Sequence, residues 1–71
     1  MSEYEIHYIW IPCSKRLPEE RRWYIVTLAG NVVDVAYYIA DGIWGSSRGG
    51  GILGANRVIA WTPFPECYKG E

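Results

Sequence analysis

A chain of 71 residues with seven Lys or Arg against eight Asp or Glu lacks the cationic excess that duplex nucleic acid demands, where released phosphate counterions supply most of the affinity. Its length implies one domain, residues 1–71, burying only roughly 60% of the surface its unfolded form exposes, and no apolar run approaches the roughly 18 residues of a membrane span. Four Trp and six Tyr are enough to furnish both a core and a contact surface, and a small core with surplus rings favours a homo-oligomer.

In chain order, Glu5 to Ile11 alternates as a strand that Pro12, lacking an amide donor, ends. Ser14 to Glu20 reads as a turn, with a short helical turn expected after Pro18. Trp23 to Leu28 and Val32 to Ala40 are β-branched and aromatic runs around Ala29-Gly30-Asn31, the signature of a hairpin spanning 23–39. Gly30-Asn31 suits a two-residue type II′ turn. That turn would pair Leu28 with Val33, Val26 with Val35, Tyr24 with Tyr37, Thr27 with Asp34, Ile25 with Ala36 and Trp23 with Tyr38. Period-two alternation then puts Tyr24, Val26, Leu28, Val33, Val35, Tyr37 and Ile39 on a core face. Trp23, Ile25, Thr27, Asp34, Ala36 and Tyr38 form a mixed face.

Asp41-Gly42 marks a second hairpin turn, leading to Ile43-Trp44. Arg57 to Trp61 is the last strand, closed by Thr62-Pro63-Phe64-Pro65. Short strands without helical periodicity define an all-β fold. We expect a five-stranded antiparallel sheet curled into an SH3-like barrel, its core closed by Trp10, Trp44 and Trp61.

Between the last two strands lies GSSRGGGILG, residues 45–54. A phosphate-binding loop needs G-x-x-x-x-G-K-[ST] before a helix; here there is no lysine and a strand follows. Glycines still let backbone N–H groups converge on an anion, with Ser46, Ser47, Arg48, Gly49 and Gly50 completing such a nest. Ile52 and Leu53 are costly to leave in water and should pack on the core or on a neighbouring subunit. Trp23 and Tyr38, paired on the mixed face, would make a platform for a base or a partner's side chain. Arg16, flanked by prolines, reads first as a turn staple and second as a bidentate anion clamp.

No catalytic set assembles: His7 is the sole histidine, on a terminal strand, and the acids show no spacing that forces two into one cleft. Cys13, Cys67 and His7 fall short of the four ligands of a structural zinc site. The expectation is a non-enzyme without metal or cofactor. Met1-Ser2-Glu3 begins a polar stretch without an apolar leader, so a cytoplasmic protein with both thiols reduced is expected.

The block Trp10-Ile11-Pro12-Cys13-Ser14-Lys15-Arg16-Leu17-Pro18-Glu19, the core Val35-Ala36-Tyr37-Tyr38 and the end Val58-Ile59-Ala60-Trp61-Thr62-Pro63-Phe64-Pro65-Glu66 resemble a family of small phage and prophage proteins, domain of unknown function five-fifty-one. Its members open with W-I-P-[VC]-S-x-R-L-P-E and close with W-x-P-[LF]-P-E. The chain departs from that pattern at Ala60, where the family often has histidine, and in its longer, glycine-rich stretch between Trp44 and Arg57. The resemblance implies a viral origin, a bacterial host cytoplasm and a small β domain, but no activity. Taken with the loop, it leads to a small-ligand binding protein that sequesters a phosphorylated nucleotide immune signal of the host. An inhibitor or adaptor that docks on a host protein through its aromatic face is the alternative, and a virion or replication accessory protein a third.

Overall fold

The computed structural model describes residues 9–54 and 56–65. The expected strand from Glu5 is therefore described only at its end, and His7, Glu66 and Cys67 lie outside the described residues. Five strands, β1 (Ile11–Pro12), β2 (Trp23–Leu28), β3 (Val32–Ala40), β4 (Ile43–Ser46) and β5 (Val58–Thr62), form one antiparallel sheet in the order β1-β5-β2-β3-β4. β1 and β4 are its two edges and do not pair with each other, so the sheet is open rather than a closed barrel.

The hairpin stands where expected, but its register is one residue away. Leu28 pairs with Val32, Val26 with Asp34, Tyr24 with Ala36 and Trp23 with Tyr37. Three residues rather than two make the loop. The Asn31 N–H donates to the Leu28 carbonyl at 3.0 Å, Gly30 takes φ 92° and Asn31 φ 65°. A positive φ at the third position of the 28–31 turn suits glycine, and asparagine tolerates the left-handed region that follows. One residue of slip inverts a strand's faces. Val33, Val35, Tyr37 and Ile39, expected in the core, lie on the other face, while Asp34, Ala36 and Tyr38 move to the core side.

The reason is visible in the core. Ala36, fully buried, sits between Tyr24 on β2 and Ser46 on β4. Its small side chain lets the Tyr24 and Trp44 rings meet across β3 at 6.0 Å, which the bulkier Val35 or Tyr37 in that place would prevent. Tyr38 packs edge-on against Trp44 at 4.9 Å, and Tyr24 against Trp61 at 5.1 Å. This chain of rings, with Val26, Leu28 and Val58, is the core, and each edge-to-face pair contributes about 0.5–1.5 kcal/mol beyond burial. Tyr38 also accepts the Gly42 N–H on its hydroxyl at 3.2 Å, fastening the Asp41-Gly42 turn, where both residues have positive φ, to the core.

Two crossovers cover this face. Residues 13–22 pass over β5, with Leu17 and Cys13 against the core and Pro18 buried. The turn falls at Pro12, whose carbonyl accepts the Lys15 and Arg16 N–H groups at 2.9 and 3.2 Å; no helix follows Pro18. Residues 47–57 carry the chain from β4 across to β5, with Leu53 packed on the core. Burial raises the Cys13 thiol and the Tyr24 phenol above their ordinary values, Tyr24 despite the opposing charge of Arg22. The unfolded chain then ionises first. The stability linked to both groups is fully present below their unfolded values and is lost as pH rises through the thiol and then the phenol range. Denaturant midpoints should therefore fall steadily from pH 8 to pH 11, and Cys13→Ala should remove the earlier part of that fall.

Candidate interaction surface

The sheet's other face is built from three cross-strand rows. Trp23, Tyr37, Gly45 and Ile52 make the first; Thr62, Ile25 and Val35 the second; Pro12, Ala60, Thr27 and Val33 the third. Directly opposed residues share a face. None of these side chains carries a charge. Ile39 joins the face through a bulge in β3, its Cδ1 filling the space beside Gly45, 3.8 Å from where a Cβ would stand. Trp23 packs edge-on against Tyr37 at 5.4 Å, and Trp23, Val33 and Ile52 are 46%, 60% and 64% exposed. A soluble sheet face usually alternates toward polar residues, so a wet face of valine, isoleucine and aromatic side chains points to a contact.

Trp23 lies on the exposed face as expected, but the ring beside it is Tyr37, since Tyr38 is 7% exposed in the core. Val33, Val35 and Tyr37 reach this surface, contrary to expectation, because the loop is one residue longer than a two-residue turn. Ile52 and Leu53 part company, since successive residues of a strand point to opposite sides. The Gly45–Ile52 bridge and the Leu53 N–H to Trp44 carbonyl bond (2.9 Å) pair this segment with β4. Leu53 reaches the core and Ile52 the open face.

The glycine stretch is consequently a hairpin tip, closed by the Ser46 N–H to Gly51 carbonyl bond at 2.7 Å. Gly49 and Gly50 turn the chain at φ 83° and 75°. Ser46 belongs to β4, and its hydroxyl is engaged with Arg48, donating to the carbonyl (3.0 Å) and accepting from the N–H (2.9 Å). Arg48 pairs with Asp34 at 3.1 Å, and Asp34 also accepts the Val35 N–H at 2.8 Å. The β3–β4 register, carried two residues beyond Ala36 and Ser46, sets these partners opposite each other. Ser47 is exposed beside them. The guanidinium expected to hold an anion thus already has a carboxylate. With the Arg48 side chain 79% exposed, Arg48→Ala should cost no more than about 1 kcal/mol. A thermal unfolding midpoint that scarcely moves, in low and high salt alike, is the check.

Arg16 packs against Trp61. Its carbonyl accepts the Trp61 indole N–H at 2.9 Å, and its guanidinium stands over the Trp61 ring at 5.6 Å. It borders a hollow of about 220 Å³ that also holds Glu19, Glu20 and Arg22, a mixed-charge environment. A larger cleft of about 440 Å³ lies on the core side, lined by Cys13, Ser14, Leu17, Trp44, Asn56 and Ile59 among others, and carries no formal charge. The predicted ligand residues therefore divide among separate places: Ser46, Ser47, Arg48, Gly49 and Gly50 at the hairpin tip, Arg16 against Trp61, Tyr38 in the core and Trp23 on the open face.

Cys13 is a free thiol. Among the described residues, no group of three or more His, Cys, Asp or Glu side chains is placed to hold a metal ion, and no helix is long and apolar enough to cross a membrane. No protein-family model, curated protein or solved structure matches the chain.

Proposed function

We propose that this chain is a non-enzymatic protein-interaction module whose working surface is the uncharged face of its sheet. The observation that carries the reading is the asymmetry of the two faces. One is covered by two crossovers and packed rings, and the other presents Trp23, Val33 and Ile52 to solvent in rows without a charge. Trp23 on Tyr37 has the character of an anchor, because interface centres concentrate Trp and Tyr and exclude charge. The phage-family motif and an adaptor or inhibitor role inside a bacterial host are compatible with such a module, as is further curling of the open sheet toward an SH3-like form. Nucleotide sequestration has weaker support, since the Arg48 guanidinium is engaged by Asp34 and the stacking pair lies on a different face from the glycine tip.

A photo-crosslinking amino acid at Val33, in the producing cell, tests the reading. Discrete protein adducts are expected from position 33 and none from Lys15, which is exposed on the 13–22 crossover. Equal adducts from both positions, or none from position 33, would overturn it.

A further inference from the structure

We infer that the protein seated on this face is a second copy of the same chain, an inference that rests on the interaction reading above. The face suits its own image. With no charge in its three rows, two copies meet without like charges opposed, and a partner recognised by charge complementarity has nothing to grip.

Area permits a reversible pair. Trp23, Val33 and Ile52 are 46%, 60% and 64% exposed, and Tyr37, Ile25 and Val35 are partly buried, so their exposed portions amount to on the order of 450 Å² per copy, the size of a weak contact. Architecture agrees as well, since a sheet with two apolar faces needs a layer on each, and two sheets stacked about 10 Å apart supply it.

The rows also specify how the copies lie. Rings stand at one end of the face, Trp23 and Tyr37, and the smaller Ala60, Thr27 and Val33 at the other. Stacking ring end on ring end would crowd one side and leave a void on the other. A two-fold axis between the sheets and perpendicular to β2 instead sets Trp23 of one copy over Thr27 of the other, and Tyr37 over Val33. That contact is isologous and closed, so it stops at two.

Sedimentation velocity on the purified chain reads the result. A species of twice the 8.1 kDa chain mass is expected, and Val35→Glu, which brings two carboxylates together at the centre, should halve it while the near-ultraviolet circular dichroism of the core rings persists. Should Val35→Glu fail to fold, Trp23→Ala, at a 46% exposed position, should weaken the dimer at least tenfold. A wild-type chain that stays monomeric at millimolar concentration, or a dimer indifferent to both substitutions, overturns the inference. If position 33 still crosslinks in the cell, but to a different protein, the copy is wrong and the interaction face stands; if it crosslinks to nothing, both fall.

Discussion

Replacing Trp61 by alanine should leave the chain largely unfolded at 25 °C. Trp61 is 5% exposed, stacks edge-on with Tyr24, lies under the Arg16 guanidinium and donates its indole N–H to the Arg16 carbonyl. The truncation leaves a cavity between β5 and the 13–22 crossover and removes the donor that holds the Arg16 carbonyl. Large aromatic-to-alanine changes in cores cost about 3–5 kcal/mol. A domain of this size has about 5 kcal/mol or little more to lose. Trp61→Phe is the milder truncation, because it keeps an apolar ring while removing the N–H and part of the ring volume; a loss of about 2 kcal/mol, smaller than for alanine, is expected. Urea denaturation followed by near-ultraviolet circular dichroism measures both. A Trp61→Ala chain as stable as the parent would mean that the crossover is not held by this ring.

Elements set by local chemistry were legible in the residues. The runs 23–28 and 32–40 are strands with the expected bounds, the Asp41-Gly42 turn forms, and Trp44 and Trp61 are core rings. The register was not legible, because Gly30-Asn31 serves a two-residue turn and a three-residue loop equally well. What decides between them is tertiary: the space over Ala36 where Tyr24 and Trp44 meet. The same limit hid the contact face. Once Val33, Val35 and Tyr37 were assigned inward, the exposed side looked half polar, and the glycine stretch became the most conspicuous candidate left. Its composition resembled an anion nest, yet Ser46 and Arg48 have partners that only the folded strands bring near, a turn oxygen and Asp34 on β3.

The two crossovers explain why the faces differ. With β5 placed between β1 and β2, the chain must pass over the sheet from β1 to β2, and again from β4 to β5. Both passages carry residues that reach the ring core: Cys13 and Leu17 on the first, Leu53 on the second. One face is thereby closed by the chain's own connections. On the opposite face, among the described residues, the edge residue Ile52 extends the surface rather than covering it.

Two neighbouring substitutions to the same residue test this division most severely. Ala36→Glu puts a carboxylate at a position with no exposure, between Tyr24 and Ser46, while the cation of the adjacent row, Arg48, is already engaged by Asp34. An unpaired buried charge together with overpacking should cost about 4 kcal/mol or more, enough to unfold the domain. Val35→Glu, one residue earlier, points to the open face and should keep the fold while dissociating the pair of chains. Had the two-residue turn set the register, the outcomes would be exchanged, with glutamate tolerated at 36 and ruinous at 35. Circular dichroism of the two variants beside the parent distinguishes the cases. A folded Ala36→Glu chain would refute the observed pairing of β2 with β3, and with it the surface on which the proposed dimer rests.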